Sequence, residues 1–209
     1  MSERSLFRLA WLLVFSGSAA FAQQFTADMV RLKPAGVTTN VSFKVNKVRM
    51  EVVKQTTPSY VILDLAQHTS TMVLPDTKTY VISPPGHMPS SIPLVRVGNP
   101  DEACIDWKKD VDKSGECKKV GDEELNGRKT VKYTAKAYNG DPGTVWIDRG
   151  LRVPIKWEAE KATVELQNIK EGPQPDDLFE IPKDFEKIEV AARREAQKGK
   201  KTPPPAPRK

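Results

Sequence analysis

The sequence predicts a mainly β protein, built as a mostly antiparallel sheet of hairpins. Two observations carry this expectation. Short runs in which apolar and polar residues alternate recur along the chain, and a period of two is the signature of a half-buried strand. Each run is bounded by Pro, Gly, Asn or Asp, and the 209 residues include 17 prolines, which argues against a helical bundle.

The chain opens differently. Arg4 and Arg8 precede a short apolar run, Leu9 to Phe15, and Ala20-Phe21-Ala22 fits the A-x-A cleavage pattern. Residues 1–22 therefore read as a signal peptide, with Gln23 as the expected mature N-terminus. The apolar run is shorter than the roughly 20 residues of a bilayer span. The expected location is the periplasm, with secretion beyond it left open. Residues 23–190 are then one β domain, and residues 191–209 a basic, Pro-rich tail.

The strands follow in order. Thr26–Leu32 ends at the turn Lys33-Pro34-Ala35-Gly36. Asn40–Asn46 alternates through Val41, Phe43 and Val45, and Lys47–Val53 through Val48, Met50 and Val52. Ser59–Leu65 is a β-branched run, Thr69–Leu74 stops at Pro75-Asp76, and Lys78–Ser83 stops at Pro84-Pro85-Gly86. Residues 84–103 hold five prolines and two glycines and predict a long irregular loop, of the sort that often serves as a lid or binding loop. The meander resumes with Arg128–Tyr138, Thr144–Asp148, Pro154–Glu160 and Thr163–Lys170. A short segment, Asp177–Ile181, ends at Pro182. Glu186–Gln197 has the composition of a short C-terminal helix, and Thr202–Lys209 must be extended.

Charge and cysteine content narrow the function. Residues 191–209 carry seven Lys/Arg and one acid, a net +6, which leaves residues 23–190 at a net of about −1. The basic character thus belongs to a tail and not to a folded basic face, so no nucleic-acid partner is expected. The tail suits an anionic membrane or cell-wall surface. Cys104 and Cys117 are the only cysteines. In an oxidising compartment their simplest reading is one disulfide.

Catalysis is not expected. His68 and His87 are the only histidines, and no G-x-S-x-G frames a serine. Asp110, Asp112, Ser114 and Gly115 imitate the start of a calcium loop, but the closing position is Gly121, which has no carboxylate. No metal and no cofactor are expected.

One apolar set stands out. Met50, Val52, Leu63, Met72, Leu74, Val145, Ile147, Ile155, Trp157 and Leu166 sit at inward positions of different strands. A curved sheet would gather them on a concave face, which must be covered by a helix, by the 84–103 loop or by a ligand.

The stretches "VRMEVV … YVILDLAQHTSTMVLPDTKTYVI", "NGRKTVKYTAKAYNGDPGTVWIDRGLRVPIKWEAE" and "ELQNIKEGPQPDDLFEIPKDFEKI" resemble the DUF4412-type domains of bacteria. Those domains are distantly similar to the LolA/LolB-like superfamily of periplasmic lipoprotein carriers. The resemblance spans roughly residues 25–188. It implies a curved, incomplete antiparallel β-barrel whose greasy concavity holds acyl chains. On that reading the candidate ligand-binding residues are Met50, Val52, Leu63, Met72, Leu74, Ile147, Ile155 and Trp157, taking a lipid or other hydrophobic ligand without enzymatic chemistry. The alternative is an envelope-associated structural or interaction protein with a filled core. Two features depart from the superfamily pattern: residues 84–103 are Pro-rich where the carriers place helices, and no cysteine follows the cleavage site.

Overall fold

A computed structural model describes residues 24–53, 56–83 and 92–189. The first half is a meander of six strands: β1 Gln24–Lys33, β2 Thr38–Lys44, β3 Lys47–Val52, β4 Tyr60–Asp64, β5 Thr69–Leu74 and β6 Thr79–Ser83. A helix, α1 Cys104–Asp110, precedes a second meander. Its strands are β7 Cys117–Leu125, β8 Arg128–Lys136, β9 Pro142–Asp148, β10 Pro154–Ala159 and β11 Thr163–Glu171, and β12 Glu186–Lys187 closes the order.

The two meanders fuse because β1 pairs antiparallel with β11, setting Met29 opposite Leu166. One 12-stranded sheet results, in the order β12-β6-β5-β4-β3-β2-β1-β11-β10-β9-β8-β7, and it does not close on itself. This is the curved, incomplete barrel that the strand pattern and the resemblance imply.

Alternation decides which side chains turn inward. In β1, Phe25, Ala27 and Met29 are buried, and Phe25 faces Phe43 of β2 with the rings stacked at 4.4 Å. Val131, Tyr133 and Ala135 of β8, Val145 and Ile147 of β9, and Ile155 and Trp157 of β10 extend the same face. Gly143 is required here, because a Cβ would lie 2.5 Å from the ring of Trp157.

The inward face is plugged by the chain itself. Ile92, Leu94, Val95 and Val97 are buried although they form no regular element, and they join the core with Ala103 and with Trp107 of α1. Polar contacts hold this plug. Tyr133 donates to the Pro100 carbonyl at 2.6 Å, the Trp107 indole N–H to the Lys136 carbonyl at 2.8 Å, and Tyr138 to the Leu94 carbonyl at 2.8 Å. Arg149 grips Asp101 with both nitrogens, at 2.8 and 2.9 Å, and Lys119 adds a third contact. The Arg149 and Lys119 cations hold the exposed Asp101 carboxyl well below the usual carboxylate range. Its ion pairs therefore persist until strongly acid pH, and protonation of Asp101 there removes them.

Cys104 and Cys117 are bonded, which pins the start of α1 to β7. The bond spans 13 residues, and closing such a loop restricts the unfolded chain by about 3 kcal/mol. Replacing both cysteines by alanine should lower the urea-unfolding free energy by about that amount. Identical unfolding curves for the two proteins would show that the bridge does not stabilise the plug.

One element differs from the sequence reading at the C-terminus. The short segment Asp177–Ile181 overlaps a 3-10 turn over Asp176–Phe179. The helix expected from Glu186 to Gln197 does not start at Glu186. Glu186 and Lys187 pair in parallel with Thr79 and Tyr80, and the Ile188 N–H donates to the Tyr80 carbonyl at 2.9 Å. The unpaired edge of β6 offers these backbone groups partners, which outweighs a weak helix propensity. Residues 190–209, with the rest of that expected helix and the basic tail, lie outside the described residues, as does the expected signal peptide. Before β12, Phe185 packs with Tyr80 onto a second, outer cluster of Tyr60, Ile62 and Val73. Residues 172–188 are therefore a strap across the outer face of the sheet. It is tied by Lys44 to Asp176 at 2.5 Å, by Lys78 to Asp184 at 2.9 Å and by Arg49 to the Leu178 carbonyl at 3.1 Å.

Candidate functional site

Among the described residues, the plug covers only part of the concave face. Beyond it, strands β1 to β5 leave an open cleft of about 370 Å³. Register builds its floor in two rows. Met50, Val61 and Met72 stand side by side across β3, β4 and β5, and Met29, Thr39 and Val52 across β1, β2 and β3. With strands about 4.8 Å apart, Met50 and Met72 lie roughly 10 Å apart with Val61 between them. Val37 and Val164 complete the apolar lining, and Arg31, Ser59 and Tyr60 stand at its margin. Two apolar lining residues are exposed, Val37 at 53% and Val52 at 38%.

The expected concave-face residues divide between plug and cleft. Met50, Val52 and Met72 line the cleft. Leu63, Ile147, Ile155 and Trp157 are buried in the packed core, as are Val145 and Leu166. There Trp157 stacks on Trp107 with ring centroids 6.1 Å apart. Leu74 is half-buried at the end of β5, outside the cleft lining. Sequence reasoning missed Met29, Val37, Val61 and Val164. Met29 enters the site through the β1–β2 and β1–β11 pairings, and only the first of these joins neighbours in sequence.

A second cleft, of about 420 Å³, lies between the plug and the β4–β5 hairpin. Asp64 accepts from the Ala66 and Gln67 N–H groups at 3.0 and 2.9 Å, which shapes the hairpin and presents His68 in a left-handed conformation. The His68 Nε2 is 3.4 Å from Asp110 Oδ1. No Ser, Thr or Cys is among the described residues lining this cleft. The Tyr138 hydroxyl is committed to the Leu94 carbonyl, and burial pushes it far above the ordinary tyrosine range, so it stays protonated. Among the described residues a histidine and a carboxylate thus meet without a nucleophile to activate. Asp112 accepts from both the N–H and the hydroxyl of Ser114, so the calcium-like segment is a self-satisfied turn.

No family model and no curated sequence matches the chain. Solved structures do. An uncharacterised conserved protein from Thermus thermophilus superposes with a TM-score of 0.52 at 14% identity, over 80% of this chain and 91% of that one. PNGF-II superposes with a TM-score of 0.51 at 10% identity, over 83% of this chain. The match spans 32% of PNGF-II, about a third of its length. These two likenesses place the chain among proteins with the same curved sheet. A weaker likeness, with a TM-score of 0.43 at 15% identity, is to the MucA/MucB complex of Pseudomonas aeruginosa, over 82% of this chain and 60% of that one. Among the described residues, no helix is long and apolar enough to cross a membrane.

Proposed function

We propose that this chain is an exported, non-enzymatic binding protein that holds an acyl chain or a similar apolar segment in the cleft over Met29, Met50 and Met72. The observation that carries the reading is an open cleft with a mostly apolar lining, which the described residues leave uncovered while the rest of the concave face is plugged. Its volume falls at the small end of the range for ligand pockets, roughly 300–1,000 Å³. Thioethers suit a ligand of variable shape, because methionine is unbranched and repacks easily. The LolA-like reading of the sequence points the same way.

Met72→Trp tests it. Met72 is half-buried, so the indole extends into the cleft without entering the packed core. Excluding two or three methylenes of a ligand, at about 0.8 kcal/mol each, should weaken uptake of a fluorescent fatty-acid probe roughly 15- to 60-fold. Far-ultraviolet circular dichroism confirms that the variant is folded. Undiminished uptake by the folded variant would place the ligand elsewhere.

A second reading draws on the plug, which packs Leu63, Ile147, Ile155 and Trp157 away from any ligand. On it the domain is an envelope-associated interaction module, and the basic tail docks on anionic lipid or cell-wall polymer. Native mass spectrometry of protein taken from its own compartment separates the two. Co-purifying acyl species support the first reading, and a bare polypeptide mass supports the second.

A further inference from the structure

We infer that the cleft is a site of reversible methionine oxidation, and that a peroxide acting on Met72 expels the apolar ligand. The inference deepens the proposed function and rests on it for the ligand, but not for the modification.

Three of the chain's five methionines, Met29, Met50 and Met72, line this one cleft. Met29 and Met50 belong to the buried core and stand where it borders the cleft, whereas Met72 is only half-buried. Exposure ranks them. Met29 is 5% exposed and Met50 6%, whereas Met72 is half-buried. An oxidant entering from solvent therefore meets Met72 first.

The chemistry is a two-electron oxygen transfer. A lone pair of the thioether sulfur attacks the terminal oxygen of the peroxide and forms the S–O bond as the O–O bond breaks. The departing oxygen takes a proton and leaves as water or an alcohol. Sulfur is oxidised and the peroxide is reduced. The product is a polar, chiral sulfoxide in place of a flexible apolar side chain, and methionine sulfoxide reductases reverse it with a dithiol as reductant, which becomes a disulfide as the oxygen leaves as water. Met72 shares a floor row with Met50 and Val61. Its sulfoxide oxygen would stand in a row of apolar side chains, so a bound acyl chain must either desolvate it or leave. An exported protein is open to oxidants arriving from outside, and its one disulfide is already formed, which leaves the methionines as its sulfur groups open to oxidation.

The test uses the full exported chain, dilute hydrogen peroxide and a dansyl fatty acid as probe. Peptide mass mapping should find sulfoxide at Met72 ahead of Met29 and Met50, with Met88 mapped in the same digest. Probe affinity should fall about tenfold as Met72 is oxidised, the cost of leaving one polar group unpaired against the ligand. Sulfoxide reductase should restore it. The affinity of Met72→Leu for the probe, whatever its starting value, should not change on peroxide treatment. A digest in which Met72 stays reduced while Met29 and Met50 take oxygen overturns the site. Unchanged affinity after full conversion of Met72 overturns the release alone. No probe uptake by the untreated protein overturns the ligand reading, and the release with it.

Discussion

Trp107→Ala should lower the unfolding free energy by about 3–5 kcal/mol, the range for deleting a buried tryptophan. The side chain is 1% exposed and stacks on Trp157. It also gives its N–H to the Lys136 carbonyl, which would lose that partner. The consequence reaches past α1. Trp107 is where the plug meets β8 and β10, so its loss should loosen Ile92–Val97 and raise hydrogen exchange at the Val97 amide, which donates to the Arg152 carbonyl at 2.9 Å. Denaturant unfolding with exchange read in parallel checks both. A loss below about 1 kcal/mol would mean that the plug rests on the sheet without stabilising it.

Asp148→Ala should cost a comparable amount, about 3–5 kcal/mol. Asp148 ends β9 and is 2% exposed. One oxygen accepts from the Gly150 and Leu151 amides at 2.8 and 2.7 Å, which folds the β9–β10 turn. The other pairs with Arg128, which also reaches Glu171 at 2.7 Å. Alanine leaves two amides and a partly buried guanidinium without their carboxylate, and stranded polar groups cost more than a made bond returns. Asp148→Asn keeps the acceptor for the turn and removes the charge, so it should fall between alanine and the wild type. Equal losses for Asn and Ala would show that the ion pair, and not the turn, carries the effect. The same turn holds Arg149, the residue that clamps Asp101, so its disorder should also slacken the plug.

Which parts of this architecture could be read from the residues follows from the range of the interactions. The hairpins from β2 to β6 and from β8 to β11 join near neighbours, and each has a period-two pattern and its own turn residues. β7 escaped because it is an edge strand: Lys118, Lys119, Asp122, Glu123 and Glu124 face water, and without a buried face there is no alternation to see. α1 has seven residues, too few to display a helical period. The C-terminal segment misled because its composition favours a helix, while the open edge of β6 offered it backbone partners.

Residue patterns alone predict the β class, the two meanders, the pairing of Cys104 with Cys117, and an inward apolar set that includes Met50, Val52 and Met72. Those are matters of local pattern and of residue chemistry, available before any distant contact forms. Which of those inward residues remain open depends on long-range packing. Pairing of β1 with β11 brings Met29 to the floor, and the return of Ile92–Val97 with Trp107 buries Leu63, Ile147, Ile155 and Trp157. Both events join parts of the chain far apart in sequence. An apolar side chain has the same pattern whether it meets another side chain or faces an empty cleft, so the division between core and site is made by where the distant segment stops.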